Sequence, residues 1–282
     1  MPHMLKEALS GILSPEETEK VYSAFDQVGG IVIIKIPDSL ESRKSVIAEA
    51  ILGKIKTAKS VFAQVSAVQG DYRVRTLEFI AGENTTLADY KEHGCRFKVD
   101  VAKTYFSPRL STERKRIADQ VKDGETVVNM FAGIGTYSIV IARTNKTCRV
   151  YSIDSNLAAA EMCETNIRLN KVQDRVESLH GDAAKIIREK LVGQADRVIM
   201  PLPEKAREYV ADAVLALKRG GGTVHYFAHV KADGRKSSAA AGLKDAQEAF
   251  SNFASRIGHV QVVREVGPRV YQVVADVSIT GR

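Results

Sequence analysis

Asn129-Met130-Phe131-Ala132-Gly133-Ile134-Gly135-Thr136 is the stretch on which the fold turns. The apolar residues 127–131 read as a strand and residues 137–142 as a helix, so the octet is a strand-to-helix turn. Small residues there let the backbone bend sharply and come close to a ligand, while the helix N-terminus offers unpaired N–H groups. The third glycine of a dinucleotide fingerprint is absent, because Ser138 stands three places after Gly135. A pyrophosphate is therefore not the ligand to expect.

Outward from the octet, strand and helix alternate from Thr112 onward, the signature of parallel βαβ units. Further strands are expected at residues 149–153, 176–180, 197–200 and 222–227, with helices at 158–170, from 183, at 205–217 and at 243–256. Residues 260–265 and 270–277 are strands joined at Gly267-Pro268-Arg269, which makes the final pair an antiparallel hairpin. On the N-terminal side, Ser14-Pro15-Glu16-Glu17 supplies a cap, a first-turn proline and acids for a helix reaching about residue 25. A strand at 30–36, a helix at 40–55 and short strands at 60–68, 74–80 and 96–101 follow. The chain thus reads as α/β: a mostly parallel sheet over residues 101–282, preceded by a small α+β domain over residues 1–100.

Three strand ends carry chemistry. Asp154 closes the second strand of the alternating region about 20 residues past the glycine turn, where a carboxylate accepts both hydroxyl protons of a ribose. After the third strand, Gly181-Asp182-Ala183 places an acid able to accept from an adenine amino group. Together with the loop they favour an adenosine bearing little phosphate charge, and S-adenosylmethionine fits better than NAD. The competing reading is that both acids cap helices. The fourth strand ends Asp196-Arg197-Val198-Ile199-Met200-Pro201-Leu202-Pro203, whose prolines form either a stiff wall for a flat acceptor or a plain strand exit into a helix.

Composition sets the bounds. At 282 residues, 44% hydrophobic and 27% charged, the chain has the make-up of a soluble globular protein with length for two domains, and disorder or collagen-like structure is excluded. No apolar run approaches the roughly 20 residues of a membrane span, and the N-terminus lacks the pattern of a secretory signal, which predicts no membrane partner and a cytoplasmic location. Cys95, Cys148 and Cys163 suggest neither a disulfide framework nor a zinc site, and the six histidines show no paired ligand spacing, so no metal is expected. The net charge of +7 suits a polyanionic partner without requiring one.

Four segments taken together are more specific: Asp71-Tyr72-Arg73-Val74-Arg75, residues 105–114 (Tyr-Phe-Ser-Pro-Arg-Leu-Ser-Thr-Glu-Arg), residues 129–135, and residues 196–203. They resemble the archaeal and eukaryotic tRNA (guanine-37 N1)-methyltransferases and their relatives in wyosine biosynthesis, over nearly the whole chain from about Gly29. The resemblance implies a Rossmann-like class I methyltransferase domain that carries S-adenosylmethionine, preceded by a module that helps hold the anticodon arm of tRNA, in a chain expected to act as a monomer. Carried over by motif, Phe131, Gly133 and Gly135 would line the donor, Asp154 would hold its ribose, Asp182 would sit by its adenine, and Pro201 would stand near its methyl group. Glu113 matches the general base and Arg73 or Arg75 the contact to guanine O6, while Tyr105, Arg109, Arg114 and Pro203 would face the flipped base or its backbone.

This set is chemically coherent. Methylation at guanine N1 requires removal of a weakly acidic proton, and burial of Glu113 would raise its pKa toward the working pH. An arginine at O6 would stabilise developing charge by about 3 kcal/mol, and stacking on Tyr105 would contribute about 1–3 kcal/mol. The plainer readings are that Glu113 and Arg114 are first-turn charges of an amphipathic helix and that Arg73 and Arg75 alternate on a solvent face. The chain departs from the family at Pro201, where an asparagine is usual, and at Asn129, where an aspartate is frequent, and its N-terminus is expected to be too short for the extra domain of longer members. The rival activities are aminocarboxypropyl transfer or a second methylation on a wyosine precursor, and from another class a non-catalytic tRNA-binding protein.

Overall fold

A computed structural model describes residues 7, 9–22, 25–65 and 75–281. They divide into two compact units, one of residues 1–92 with 96–108, the other of 93–95 with 109–282.

In the first unit, Ser14 caps the helix Pro15–Lys20 in a reciprocal capping box with Glu17. The helix stops at Lys20 rather than near residue 25. The reason is that residues 26–28 are claimed by a strand, β1 (Asp26–Val28), which pairs antiparallel with β2 (Ile31–Ile34). All four residues of β2, Ile-Val-Ile-Ile, are buried, because it runs between β1 and a parallel neighbour, β3 (Ser60–Gln64). The crossover from β2 to β3 contains a 3₁₀ turn, Asp38–Arg43, and the helix Lys44–Lys54, which buries Ile47, Ala48 and Ile51 in a core with Val32, Ile34, Leu40 and Val61. β4 (Leu77–Gly82) completes the sheet antiparallel to β3. A two-stranded ribbon follows, β5 (Leu87–Glu92) and β6 (Cys95–Asp100). β5, Leu-Ala-Asp-Tyr-Lys-Glu, escaped the sequence reading because it buries Ala88 and Glu92 rather than large apolar residues.

The second unit holds a seven-stranded sheet. Its strands are β7 (Thr126–Asn129), β8 (Arg149–Asp154), β9 (Val176–His180), β10 (Arg197–Met200), β11 (Gly222–Lys231), β12 (Ser255–Gly267) and β13 (Val270–Ile279). They lie in the order β12-β13-β11-β10-β7-β8-β9, parallel from β11 to β9, with β13 antiparallel to both β11 and β12. The chain leaves β7 toward β8 and later returns to β10 on the other side of β7, so the switch in winding direction lies between β7 and β10. Open sheets of this kind bind ligands at the carboxyl ends of the strands beside such a switch. Val127, Val128, Val150, Ile153, Val198, Ile199 and Met200 are all fully buried, as a sheet covered on both faces requires.

Two expectations are corrected here. The last helix runs Arg235–Ala249 rather than 243–256. Its face is built of small residues: a Cβ at Gly242 would lie 2.8 Å from a methyl of Val273, so close packing replaces the leucine periodicity that marks a helix start. The segment expected as a helix at 205–217 is a 3₁₀ turn, Ala206–Tyr209, followed by the helix Val210–Ala216.

Candidate active site

The loop after β7 is pinned across the end of the sheet. Met130 N–H donates to Ile199 O on β10 at 3.0 Å, and Ala132 N–H to Ile153 O on β8 at 2.8 Å. Gly133 takes φ of +54° and Gly135 of +84°, both left-handed, and Gly135 opens the helix Thr136–Thr144. A Cβ on Gly135 would lie 2.5 Å from Cys163 Sγ, on the buried side of the helix Leu157–Leu169. Asn166 of the same helix donates to Ile134 O at 3.1 Å. Ser138, in place of the missing third glycine, is fully buried and its Oγ is 3.1 Å from Asn129 Nδ2. The side chain thus occupies space that a dinucleotide fingerprint leaves to backbone.

Asp154 ends β8 and reaches back to this loop: Oδ2 accepts from Gly133 N–H at 2.6 Å and Oδ1 from Asn156 N–H at 2.9 Å. It is not the cap of the next helix. Asn156 is, through Ala158 N–H at 3.0 Å. Burial pushes Asp154 above the usual carboxylate range, against the pull of its two amide donors. Each oxygen retains a lone pair for a further donor. Asp182 does cap a helix, the short Ala183–Ile186, accepting from Lys185 N–H at 2.9 Å, and its other oxygen accepts from Tyr209 hydroxyl at 2.7 Å. Tyr209 also sets its ring edge-on to Phe131, with centroids 5.1 Å apart. Its phenol is pushed up to about 12 by burial and by that carboxylate. Phe131, Gly133, Gly135, Asp154, Asp182 and Tyr209 therefore surround the carboxyl ends of β7, β8 and β9. The loop's glycine conformations and the two acids fit the ribose and adenine of an adenosine. Pro201 follows Met200 at the end of β10, and Pro203 is buried; Lys205 and Ala206 N–H bond back to Leu202 O, so the strand exits into a helical turn.

Glu113 stands in the first turn of the helix Ser111–Gln120 and is 3% exposed. Arg116 Nε lies 3.0 Å from both of its oxygens and Arg116 Nη2 lies 2.7 Å from Oε1, while Gln261 Nε2 on β12 bonds to Oε2. Burial raises the carboxyl above its ordinary value, opposed by the hydrogen bonds and charge of Arg116. Arg114 is fully buried beside it and Arg109 is exposed. Arg75 and Tyr105 belong to the first unit, where Arg75 pairs with Asp26 at 2.9 Å and Tyr105 is half-buried. Arg73 lies outside the described residues.

Sequence reading missed Tyr209, Arg116, Gln261 and Asp276. Arg116 alone left a trace, its i,i+3 spacing from Glu113 on a helix. The other three reach the site from segments far along the chain.

Residues 88–252 match the model of the TRM5/TYW2 methyltransferase domain, and residues 5–85 that of the TYW2 N-terminal domain. The chain belongs to the TRM5/TYW2 family. Among its relatives, the tRNA (guanine(37)-N(1))-methyltransferase Trm5b of Pyrococcus abyssi is 36% identical, over 94% of this chain and 78% of that one. The tRNA 4-demethylwyosine(37)-methyltransferase Taw21 of Saccharolobus solfataricus is also 36% identical, over 93% of this chain and 96% of that one. The structure of aTrm5 in complex with tRNALeu superposes with a TM-score of 0.85 at 34% identity, covering 99% of this chain and 79% of that one. Trm5 of Methanocaldococcus jannaschii in complex with adenosine gives 0.81 at 31% identity, over 99% and 79%. This TRM5/TYW2 chain is thus of the α/β, mostly parallel architecture with a terminal antiparallel hairpin, and it carries a methyltransferase domain.

Proposed function

We propose that this TRM5/TYW2 chain is a tRNA (guanine-37 N1)-methyltransferase that uses S-adenosylmethionine. The observation that carries the reading is the carboxylate of Glu113, buried and raised in pKa, in the same unit as a glycine loop clamped to Asp154. When bound, S-adenosylmethionine supplies an electrophilic methyl group on a sulfonium. Asp154 would hold its ribose, Asp182 with Tyr209 and Phe131 would bound its adenine, Gly133 and Gly135 would give the backbone room to approach it, and Pro201 would wall the methyl side.

Glu113 accepts the N1 proton of guanine 37, as a desolvated base of raised pKa is suited to do. Arg73 or Arg75 is assigned to guanine O6, and Tyr105, Arg109, Arg114 and Pro203 to the base and its backbone. Residues 1–100 serve as the module that holds the anticodon arm and residues 101–282 as the catalytic domain, in a monomer acting in the cytoplasm. Support comes from the 36% identity to Trm5b and from the tRNA bound by the structurally similar aTrm5.

A second reading is favoured by one specific residue. Pro201 stands where the resemblance leads one to expect an asparagine amide, and the identity to Taw21 equals that to Trm5b. Loss of a polar contact there suits an acceptor with a different edge, the tricyclic wyosine precursor. Mass spectrometry of nucleosides from tRNA carrying guanine 37, and from tRNA carrying 4-demethylwyosine, after incubation with methyl-labelled S-adenosylmethionine, decides between them. Label on guanine 37 supports the first reading, label only on the tricycle the second, and an unlabelled aminocarboxypropyl adduct, recognised by its added mass, or a nucleoside left unmodified would overturn both.

A further inference from the structure

Behind Glu113 lies a buried chain of charged groups that the residues of the cofactor loop do not explain. Arg116 binds Glu113 with one edge of its guanidinium and Asp276 on β13 with the other, Nη1 to Oδ2 at 2.6 Å and Nη2 to Oδ1 at 3.0 Å. Asp276 Oδ1 is 2.6 Å from His225 Nδ1 on β11, and His225 Nε2 is 2.7 Å from Arg197 Nη1 on β10. Arg197 continues to Glu125, with Nε 2.8 Å from Oε2. On the other side of Glu113, Gln261 donates to Oε2 and its own Oε1 is 3.2 Å from His259 Nε2.

The hydrogen-bond directions are fixed by elementary chemistry. An arginine only donates, so His225 Nε2 carries the lone pair, its Nδ1–H donates to Asp276, and the ring is neutral. Its full burial, which lowers the pKa, agrees. Burial would raise Asp276, but the donors His225 and Arg116 outweigh it and hold the carboxyl well below the usual range. With His225 neutral, the chain contains three carboxylates, Glu113, Asp276 and Glu125, and two cations, Arg116 and Arg197. Asp276 sits between two donors and Glu125 is paired with Arg197, so the site best able to take up a proton is Glu113, at the end of the chain.

We propose that Arg116, braced by Asp276, and Gln261 are positioning residues that aim the Glu113 carboxylate and set how readily it takes the N1 proton. The inference rests on the reading of Glu113 as the base. Arg116 and Gln261 together meet both oxygens of the carboxylate, Oε1 from Nε and Nη2 and Oε2 from Nε and Gln261, which fixes the plane in which it is held. The forked geometry cannot be reproduced by lysine, whose ammonium is a point donor. The groups facing Glu113 are Arg116 of its own helix, Gln261 with His259 of β12, and Asp276 of β13, behind which stand His225 and Arg197.

The test titrates the Glu113 side chain directly, by NMR of the protein labelled with carbon-13 at the glutamate carboxyl, with Glu113→Gln to assign the signal. The single-turnover rate against pH is measured beside it. Arg116→Gln removes a cation, so the Glu113 titration and the acid limb of the rate should both move up, by about one pH unit. Gln261→Met should move them in the same direction by less, and Asp276→Asn, which removes the negative charge that shares Arg116 with Glu113, should move them down. Calorimetric cofactor binding identifies variants that fold; Gln261, half-buried on the last hairpin, serves if the arginine or aspartate variant does not. A Glu113 titration unmoved by all folded variants, or a titration that moves without the rate's acid limb, overturns the proposal. Wild-type rates in Glu113→Gln would instead remove the base assignment itself, which separates the two failures.

Discussion

Gly133 N–H meets Asp154 Oδ2 at 2.6 Å, so the acid at the end of β8 fixes the glycine loop that follows β7. One carboxylate thereby shapes the backbone of the loop and presents its remaining lone pairs at the sheet edge. The bond explains why this acid stands at a strand end without capping the helix that follows.

Asp154→Ala is expected to weaken binding of S-adenosylmethionine by at least about tenfold, roughly 1.4 kcal/mol, because both the ribose acceptor and the loop clamp are lost. Isothermal calorimetry on the folded variant measures it, and unchanged affinity would break the ribose assignment.

Gly135→Ala combines a left-handed φ with a contact to Cys163 Sγ. The backbone cost alone is roughly 1–2 kcal/mol, and the clash adds to it. Pairing it with Cys163→Gly should recover the steric part in thermal melts and leave the backbone part, whereas full recovery would show that the left-handed conformation is not required. The Cys163 thiol, pushed up to about 11 by burial, should stay unreactive toward a disulfide reagent at pH 8 until the chain unfolds.

Glu113→Gln is expected to cut methyl transfer at least about tenfold with cofactor affinity nearly unchanged. The pH dependence has a defined sign. The base works deprotonated and its pKa is raised, so the wild-type rate should fall on acidification at a pH above the ordinary glutamate value. An acid limb at or below that value would show that a different group is titrating.

Binding of tRNA should weaken steeply with salt if the surplus of 41 Lys and Arg over 34 Asp and Glu contributes to the phosphate contacts. Filter binding between low and physiological salt measures the slope, and a flat response would place the positive charge away from the interface.

Much of this protein was legible in the order of its residues. The strands at 176–180 and 197–200 fall where the apolar runs placed them, and the closing hairpin turns at Gly267-Pro268-Arg269, because buried parallel strands and turn residues are local signals. The glycine turn and the acids at successive strand ends are local for the same reason: strand periodicity brings each carboxyl terminus to one edge. Helix ends were less legible. Residues 235–242 carry no leucine period, and the small face they bury is explained only by Val260 and Val273 lying against it.

What the linear chain determined, then, was which residues stand at the carboxyl edge of the sheet and which acid opens the helix at Ser111. Tertiary structure alone decided what those acids touch. Gln261 and Asp276 meet the neighbourhood of Glu113 from β12 and β13, and Tyr209 meets Asp182 from a turn after β10. A side chain's hydrogen-bond partners and its desolvation depend on strands brought together through the whole sheet, and no periodicity within a segment encodes them.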